Sequence, residues 1–293
     1  MTTRHRQRGR RRAAATGAVL AALAVGGCST GGPGSGPAAP ASPPASPPAA
    51  TRSAPAPRDT AGVTAWHKWG LKPLPPAPTP PADKPVKLSA TGPVPVLSRI
   101  PTSQKVVFIT IDDGQEKDPE FIEMMRDLRI PITMFLTNDV IRSDYGYFRQ
   151  LQALGNHIQN HTVHHPVLST LPPARQKEEI CGDQEILTRE YGTAPLLFRP
   201  PYGVYDTDTE NAVAQCGPRA IVRWRESMQI HDMQYQTPGG KLHPGDIVLA
   251  HFRGPSELKG TTMTQMFAHL LKRIREQGFT VARLEDYLQA PAG

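Results

Sequence analysis

The feature that most constrains the fold is an apolar run that ends in two adjacent acids. Residues 106–111, Val-Val-Phe-Ile-Thr-Ile, have the β-branched and aromatic composition of a strand buried on both faces. Asp112, Asp113 and Gly114 follow at once. A buried strand of this kind delivers its acids to a sheet edge or a barrel mouth, where ligands bind. The alternative for this stretch alone is a solvated Asp-Asp-Gly turn.

Strands and helices alternate through the rest of the chain, which predicts an α/β barrel or a doubly wound sheet. Helices are indicated by amphipathic spacing, proline starts and glycine ends. The predicted strands are residues 105–111, 132–136, 156–160, 196–198, 219–224, 246–250 and 279–282. The predicted helices are residues 119–128, a helix that ends at Gly155, and residues 172–191, 208–215 and 263–277.

The first 28 residues have the order of a bacterial export signal: arginines, an apolar segment, then small residues and a cysteine. The apolar segment, Ala13 to Val25, is too short to span a bilayer as a stable helix. Residues 25–28, Val-Gly-Gly-Cys, resemble a lipobox. We therefore expect lipidation of Cys28 and an extracytoplasmic protein anchored to the cell membrane beside the cell wall. The alternative is an ordinary secretory signal cleaved near Gly27, and a secreted protein.

The export signal changes what the charge implies. The chain has a formal charge of +7, and the signal contains six arginines and no acid. Without those arginines the mature protein carries a formal charge of about +1. The high pI is therefore no indication of nucleic-acid binding. As a separate expectation, the protein is a monomer.

Proline is concentrated in one region, since 18 of the 32 prolines lie between Cys28 and Pro101. Residues 29–95 are rich in Pro, Ala and Ser, a composition that favours extended polyproline II and predicts a disordered, semi-rigid linker. The predicted organisation is a signal peptide at 1–28, this linker, and a folded domain at 96–290. Trp66 and Trp69 are unusual in such a linker. They either contact the domain or a ligand, or form a short turn without function.

Two cysteines remain as an even pair if the first cysteine is acylated. Cys181 and Cys216 could form a disulfide in an oxidising compartment. Two buried free thiols are the equal alternative, because the sequence gives no distance between them.

Residues able to do chemistry follow four of the predicted strands, and in a barrel they would meet at one mouth. They are Asp112 and Asp113, His161 and His165, Arg199 with the Pro-Pro-Tyr-Gly turn through Tyr202, and His251. Two imidazoles four residues apart, with one carboxylate, form a common zinc environment that leaves a position open for water. An arginine can hold a carboxylate in bidentate geometry, and a histidine can act as a general acid near neutral pH. Taken alone, His161 or His165 could be a surface histidine near a proline turn. Arg199 could form an ordinary surface ion pair, and His251 could be a satisfied buried histidine.

These four segments, in this order, resemble the polysaccharide deacetylase family, the NodB-homology group of carbohydrate esterase family 4. The family's Thr-Phe-Asp-Asp-Gly, paired-histidine, Arg-Pro-Pro-Tyr-Gly and Leu-x-His motifs correspond to residues 110–114, 161–165, 199–203 and 249–251. The resemblance covers about residues 100–288. The ordered set is far more specific than any one motif.

The resemblance implies a distorted (β/α)7-type barrel and metal-dependent hydrolysis of acetyl groups on sugar polymers. Carried over by position, Asp113, His161 and His165 would hold a divalent metal, zinc, with cobalt or another ion as alternatives. Metal-bound water, deprotonated with help from Asp112, would attack the acetyl carbonyl. His251 would protonate the leaving amine.

The same resemblance gives roles to two further residues and a class of substrate. Arg199 would orient Asp112, and the backbone N–H of Tyr202 would stabilise the oxyanion together with the metal. The substrate implied is peptidoglycan, from whose N-acetylglucosamine the acetyl group is removed, or a chitin-like polymer. The bond broken is an amide bond other than a peptide bond. O-deacetylation of xylan is the same chemistry with another leaving group. A catalytically impaired wall-binding lipoprotein on the same fold is the alternative function.

The sequence departs from the family pattern at two places. Gln115 stands where proline is usual, which would alter the lip of the groove. The fourth motif, usually Asp-x-x-Asp-Trp, has no clean match in residues 224–232. Glu226 or Asp232 could replace the aspartate that tunes the catalytic histidine, and Trp224 could line the substrate groove.

Overall fold

The computed structural model describes residues 60–291. The predicted signal peptide, the lipidation site at Cys28 and the first part of the predicted linker lie outside the described residues. None of the helices formed by residues 60–291 has the length and the apolar run that a bilayer crossing requires.

The described chain alternates strands and helices after a short N-terminal section. The helices are α1 (Thr60–Lys68), α2 (Pro119–Leu128), α3 (Asn138–Ile141), α4 (Tyr145–Ala153), α5 (Pro173–Tyr191), α6 (Thr207–Cys216) and α7 (Met263–Glu276). The strands are β1 (Val86–Lys87), β2 (Val96–Leu97), β3 (Val106–Asp113), β4 (Thr133–Leu136), β5 (His157–Asn160), β6 (Leu197–Phe198), β7 (Ala220–Val222), β8 (Glu226–Met228), β9 (Met233–Tyr235), β10 (Ile247–His251), β11 (Thr280–Val281) and β12 (Leu288–Gln289). Short 3₁₀ turns occupy Leu168–Thr170, Pro201–Gly203 and Leu284–Tyr287.

One sheet organises the domain, with strand order β2-β7-β6-β5-β4-β3-β10-β8-β9 and β11 added to the first residues of β3. Every pair in this path is parallel except β8–β9, which is an antiparallel hairpin. The sheet curls into a half-barrel. The prediction of an α/β fold of the distorted barrel type is therefore confirmed.

Strand β3 is buried on both faces, as its composition predicts. Its first seven residues are buried, and its side chains alternate between two apolar clusters. Ile109 lies in the same cluster as Phe121 of α2 and Phe267 of α7. Phe108 points to the opposite face, where its ring centroid lies 4.9 Å from that of Tyr287. Alternation with a period of two is what lets one strand serve as the core of both layers.

The strand register brings the chemical residues to one edge. His251, the last residue of β10, lies opposite Asp112 in β3. Asp113 lies opposite Leu136, which lies opposite Asn160 at the end of β5. Asn160 in turn lies opposite Phe198 at the end of β6. The residues that follow these two strands therefore leave the sheet at the same level as the two acids.

Residues 60–95 of the predicted linker fold against the domain instead of standing free. Trp66 and Trp69 pack on the main apolar cluster, which contains the buried side chain of Leu71. The indole Nε1 of Trp69 donates to Oδ2 of Asp127 over 2.9 Å. Strand β1 pairs with β12 at the other end of the described chain. The Pro/Ala composition predicted disorder because it averages over the whole segment. A few large apolar side chains supply the burial that orders residues 60–95.

Cys181 and Cys216 form a disulfide that joins α5 to α6, with Cα atoms 4.7 Å apart. Of the two alternatives left by the sequence, the structure has the bridge. Its position matters for the site, because residues on either side of Cys181 contact the predicted metal-ligand loop.

Candidate active site

The two adjacent acids of β3 point to different partners. Asp112 is buried, and its Oδ1 accepts a hydrogen bond of 2.6 Å from Arg199. Asp113 turns away because its backbone is left-handed, with a φ of 72°. Gly114 makes that turn possible: its φ is 95°, and a Cβ there would lie 2.4 Å from Ile141. The Asp-Asp-Gly sequence therefore splits the acids between two tasks.

The predicted histidine ligands lie in a loop that leaves β5. The backbone N–H of His161 donates to Oδ2 of Asp183, 3.1 Å away. Its ring Nδ1 lies 2.7 Å from the carbonyl oxygen of Arg199, so Nδ1 carries the proton and donates. The other ring nitrogen, Nε2, is left as an acceptor that faces Asp113. This is the tautomer that a metal-binding imidazole needs.

Three donor atoms converge at this point. Nε2 of His161 and Nε2 of His165 lie 3.5 and 3.3 Å from Oδ1 of Asp113, and each of the three residues offers a ligand atom within 4.8 Å of the others. That carboxylate oxygen is buried and has no hydrogen-bond partner within residues 60–291. A buried oxygen without a donor is costly, and a cation would satisfy it. The residues present therefore fit a divalent metal, with the two-histidine, one-carboxylate set that zinc favours.

The charges of the cluster reinforce one another. Burial acts to raise the pKa of Asp113, but the neighbouring imidazoles of His161 and His165 hold it well below its ordinary range. Burial acts to lower the pKa of His161, and the carboxylates of Asp112 and Asp113 raise it above its ordinary value. Asp113 is thus an anion throughout the physiological range, as a metal ligand must be.

Backbone strain is concentrated around the same residues. Within residues 60–291, six residues other than glycine have a positive φ, and four of them lie here: Asp113, Thr162, His165 and Tyr202. Left-handed backbone at a residue with a Cβ costs free energy and is tolerated where surrounding contacts fix it. The site is therefore held in place by the fold around it.

Arg199 is wholly buried and is satisfied on all sides. Its Nη1 donates to Thr110 as well as to Asp112, and its Nε donates to the carbonyl oxygen of Val222. The guanidinium carbon lies 4.2 Å from the ring centroid of Phe135. These contacts fix the carboxylate of Asp112 in one orientation, with Oδ2 on the side of the histidines.

His251 and Tyr202 complete the mouth of the barrel. Burial lowers the pKa of His251 below its ordinary value, although the carboxylates of Asp112 and Asp113 oppose the shift. Tyr202 is 62% exposed, and its ring centroid lies 4.8 Å from that of His165. The exposed ring stands at the rim, where a polymer could reach it.

Trp224 packs behind the Pro-Pro-Tyr-Gly turn. Its ring lies 5.6 Å from the guanidinium carbon of Arg199, and a Cβ at Gly203 would lie only 2.8 Å from it. The indole therefore packs against the turn that carries Tyr202. Gln115 is exposed beside the turn that follows Asp113.

The structure places neither of the two predicted substitute carboxylates beside His251. Glu226 lies opposite Val248, three residues before His251 along β10, and its carboxylate faces Asp246 at the other end of that strand. Asp232 is exposed on the surface and pairs with Arg273. The prediction that either acid tunes His251 is therefore wrong. Strand polarity is the reason, since the start of β8 faces the N-terminal end of the barrel.

Glu226 belongs instead to a second polar cluster. Glu226, His243 and Asp246 bring ligand atoms within 4.8 Å of one another. Arg99 donates to Asp246 over 2.5 Å, and the guanidinium groups of Arg99 and Arg225 both act on Glu226. Both carboxylate oxygens of Glu226 lack a hydrogen-bond partner within residues 60–291, but two guanidinium groups already supply positive charge beside them, so we assign no metal to this cluster.

Several residues around the site were missed by the sequence reasoning. Helix α5 presents Glu179 and Asp183, both buried, to the histidine loop. Glu179 accepts from the backbone N–H of His164 over 3.0 Å, and from its ring over 2.8 Å. The signal was available: these acids occupy the inward stripe of α5, where an amphipathic helix carries apolar residues. Arg253, two residues after His251, was also missed.

Comparison with known proteins shows which proteins this chain is similar to. A family model described as polysaccharide deacetylase matches residues 99–221. An uncharacterised protein of Streptomyces coelicolor is 43% identical over 195 residues, which cover 66% of this chain and 77% of that protein. A peptidoglycan-N-acetylglucosamine deacetylase of Bacillus cereus is 23% identical over 201 residues, 65% of this chain and 91% of the relative. A CE4 family pseudoenzyme from Bacillus anthracis shares the fold, with a TM-score of 0.54 at 17% identity over 67% of this chain and 73% of its own.

Proposed function

Because this chain belongs to the polysaccharide deacetylase family, we propose that it is a metal-dependent hydrolase that removes N-acetyl groups from a cell-wall polysaccharide. One observation carries the proposal. The cluster of Asp113, His161 and His165 lies beside a buried Asp112–Arg199 pair, and His251 lies opposite Asp112 in the strand register. The residues proposed as acid, base and metal ligands therefore share one barrel mouth.

Asp113, His161 and His165 would hold the metal, with zinc as the expected ion. When bound, a divalent ion of this kind polarises the acetyl carbonyl and lowers the pKa of a water molecule. The ring of His161 is locked for this task by its hydrogen bond to the carbonyl oxygen of Arg199. The ring of His165 is positioned by its left-handed backbone and by the packing of Tyr202.

Asp112 is the general base in this scheme. Arg199 occupies its Oδ1, which leaves Oδ2, 3.8 Å from Nε2 of His161, to accept a proton from the attacking water. As the C–N bond of the acetamide breaks, the protonated form of His251 donates its proton to the departing nitrogen and regains one from solvent, while Asp112 releases to solvent the proton that it took from the water. The products are acetate and a free amino sugar. The backbone N–H of Tyr202 would stabilise the oxyanion of the acetyl carbon.

The expected polymer is peptidoglycan, with N-acetylglucosamine as the sugar that loses its acetyl group. The name of the Bacillus cereus relative supports this choice. The predicted export signal and lipid anchor would bring the domain to the cell wall outside the membrane. Chitin-like polymers and O-acetyl xylan are the alternative substrates for the same chemistry.

A wall-binding protein without turnover is the competing function. It is favoured by one observation, that neither Glu226 nor Asp232 lies beside His251. The likeness in fold to a pseudoenzyme shows that this architecture exists without activity.

A screen for acetate release tests the two functions against each other. Purified protein is incubated with peptidoglycan, chitin oligomers and acetylxylan, with and without added zinc or cobalt. We expect release from peptidoglycan that is abolished by a chelator and by Asp112→Asn. Absence of release from all three polymers, with the metal bound, would establish the non-catalytic binder.

A further inference from the structure

A small cavity opens beside His251 and is separate from the metal ligands. Its volume is about 120 Å³. Four apolar side chains line one part of it, and the polar residues Gln229, His251, Arg253 and Glu257 line the rest. A cavity of this size next to His251 can accept one substituent of a bound glycan.

Arg253 brings to this cavity a guanidinium that faces two carboxylates without a hydrogen bond to either. Its Nη2 lies 4.0 Å from Oδ2 of Asp113, and its Nε lies 3.6 Å from Oε1 of Glu257. Both distances are too long for hydrogen bonds. Within the described part of the chain, the guanidinium is therefore attracted by two carboxylates but donates a hydrogen bond to neither. The side chain is 40% exposed.

The position of Arg253 is fixed by the backbone and not by its side chain. Its N–H donates to the carbonyl oxygen of His251 over 3.0 Å, which makes a tight turn at the end of β10. This turn places the start of the Arg253 side chain beside His251, so that its guanidinium can reach a group bound next to that histidine. Arginine is the side chain best suited to bind a carboxylate there, because its planar fork can donate two parallel hydrogen bonds.

The charge of the mouth favours an anion. Asp112 is neutralised by Arg199, and a divalent cation would outweigh Asp113. Arg253 adds one more positive charge, which Glu257 offsets only in part because the two groups are 3.6 Å apart and make no hydrogen bond. A neutral sugar would gain nothing from this field, whereas an anionic one would be drawn in and oriented.

We propose that Arg253 binds a carboxylate that the glycan carries on the sugar next to the N-acetylglucosamine under attack, and that the protein therefore selects acidic glycans over neutral ones. The inference rests on the proposed function. The chemical class is an N-acetylated polymer with ether-linked carboxylates on its sugars, as in peptidoglycan strands. Chitin-like oligomers, which lack a carboxylate, would be poor substrates.

Two oligosaccharides of equal length test the proposal with the zinc-loaded protein. One is an N-acetylglucosamine tetramer and the other is a peptide-free peptidoglycan tetramer. We expect Arg253→Gln to lower kcat/KM on the acidic tetramer at least tenfold, a loss typical of a hydrogen-bonded charge pair. On the neutral tetramer the change should stay within about twofold. Arg253→Lys should recover part of the loss, because it restores charge without the fork.

Lys259→Gln is the matched control, since it removes one positive charge from the same loop and lies exposed outside the cavity. It should leave the preference unchanged. Raised salt should weaken the preference of the wild-type protein and leave Arg253→Gln unaffected. An equal loss on both tetramers, or no preference in the wild-type protein, would overturn the proposal.

Binding measurements separate this inference from the proposed function. Both tetramers are titrated by calorimetry into Asp112→Asn and into Asp112→Asn with Arg253→Gln, so that affinity is read without turnover. Preferential binding of the acidic tetramer that depends on Arg253 supports the inference even if no acetate is released. Equal affinities would refute it even if the protein is an active deacetylase.

Discussion

Nη1 of Arg199 lies 2.6 Å from Oδ1 of Asp112, and neither side chain has appreciable contact with solvent. A buried pair of this kind is tolerated because each charge satisfies the other. Here it also holds one carboxylate oxygen away from the site and leaves the other free. The pair therefore stabilises the fold and also orients Asp112, the proposed base.

Asp112→Asn should lower acetate release by about a hundredfold to ten-thousandfold, because a general base typically contributes that factor. Bound metal should stay stoichiometric, since the three ligands are untouched. Turnover assays together with elemental analysis of the purified variant check this. Asp232→Asn is the control and should be fully active, because that exposed acid lies away from His251.

Arg199→Met should destabilise the domain by about 3–5 kcal/mol, because it leaves the buried Asp112 carboxylate unpaired. Chemical denaturation measures the loss. Arg149→Met removes an exposed ion pair with Glu190 and should cost at most about 1 kcal/mol. The double variant with Asp112→Asn should be more stable than Arg199→Met alone. If it were less stable, the two side chains would not be coupled.

His161→Ala and His165→Ala should each lose stoichiometric metal, since either change removes one of the three protein ligands. Metal content after dialysis against trace zinc is the measurement. His164→Ala provides a neighbouring histidine as control, because that ring pairs with Glu179 instead. Equal metal loss in all three variants would show that the loop, and not the ligand set, determines binding.

Glu226→Gln should stabilise the protein increasingly as the pH rises. Burial, with the negative charge of Asp246, raises the pKa of Glu226 to about 8. The folded protein therefore holds this proton more tightly than the unfolded chain, and stability falls as the pH rises from the unfolded value towards 8. The amide removes that penalty. We expect similar Tm values at pH 5 and an advantage of about 5 °C for the variant at pH 9. A difference independent of pH would contradict this.

Replacing both Cys181 and Cys216 by alanine should cost about 2–4 kcal/mol, the usual range for a loop of this length. Thermal unfolding of the variant, compared with the oxidised wild type, measures it. Reduction of the wild-type protein should reproduce most of the loss. Reduction of the alanine variant should change nothing, which controls for effects of the reductant.

The main elements of the fold were predictable because their signals are local. The apolar run of β3 and the proline start and glycine end of α5 place those elements to within a residue or two. The β8–β9 hairpin was not predicted, because its strands have three residues each. Nor was the packing of α1, where Trp69 and Asp127 lie 58 residues apart in sequence.

The site shows the same division. The residues at strand ends, from Asp113 to His251, could be placed together because parallel strands share one edge. The orientation of Glu226 could not, since it depends on whether that residue begins or ends its strand. The roles of Asp183 and Arg253 depend on contacts from a helix and a loop that sequence spacing does not fix.

Helix α5 holds the histidine loop from the protein side. The carboxylate of Asp183 accepts a hydrogen bond from the backbone N–H of His161. Glu179 accepts two: its carboxylate from the backbone N–H of His164, and its carbonyl oxygen from that of Val163. The ligands are thus set by hydrogen bonds that need no ion. We therefore expect the domain to stay folded when the ion is absent, so that folding and metal loading would be separate events. The metal found in the protein would then be decided by the supply it meets after folding.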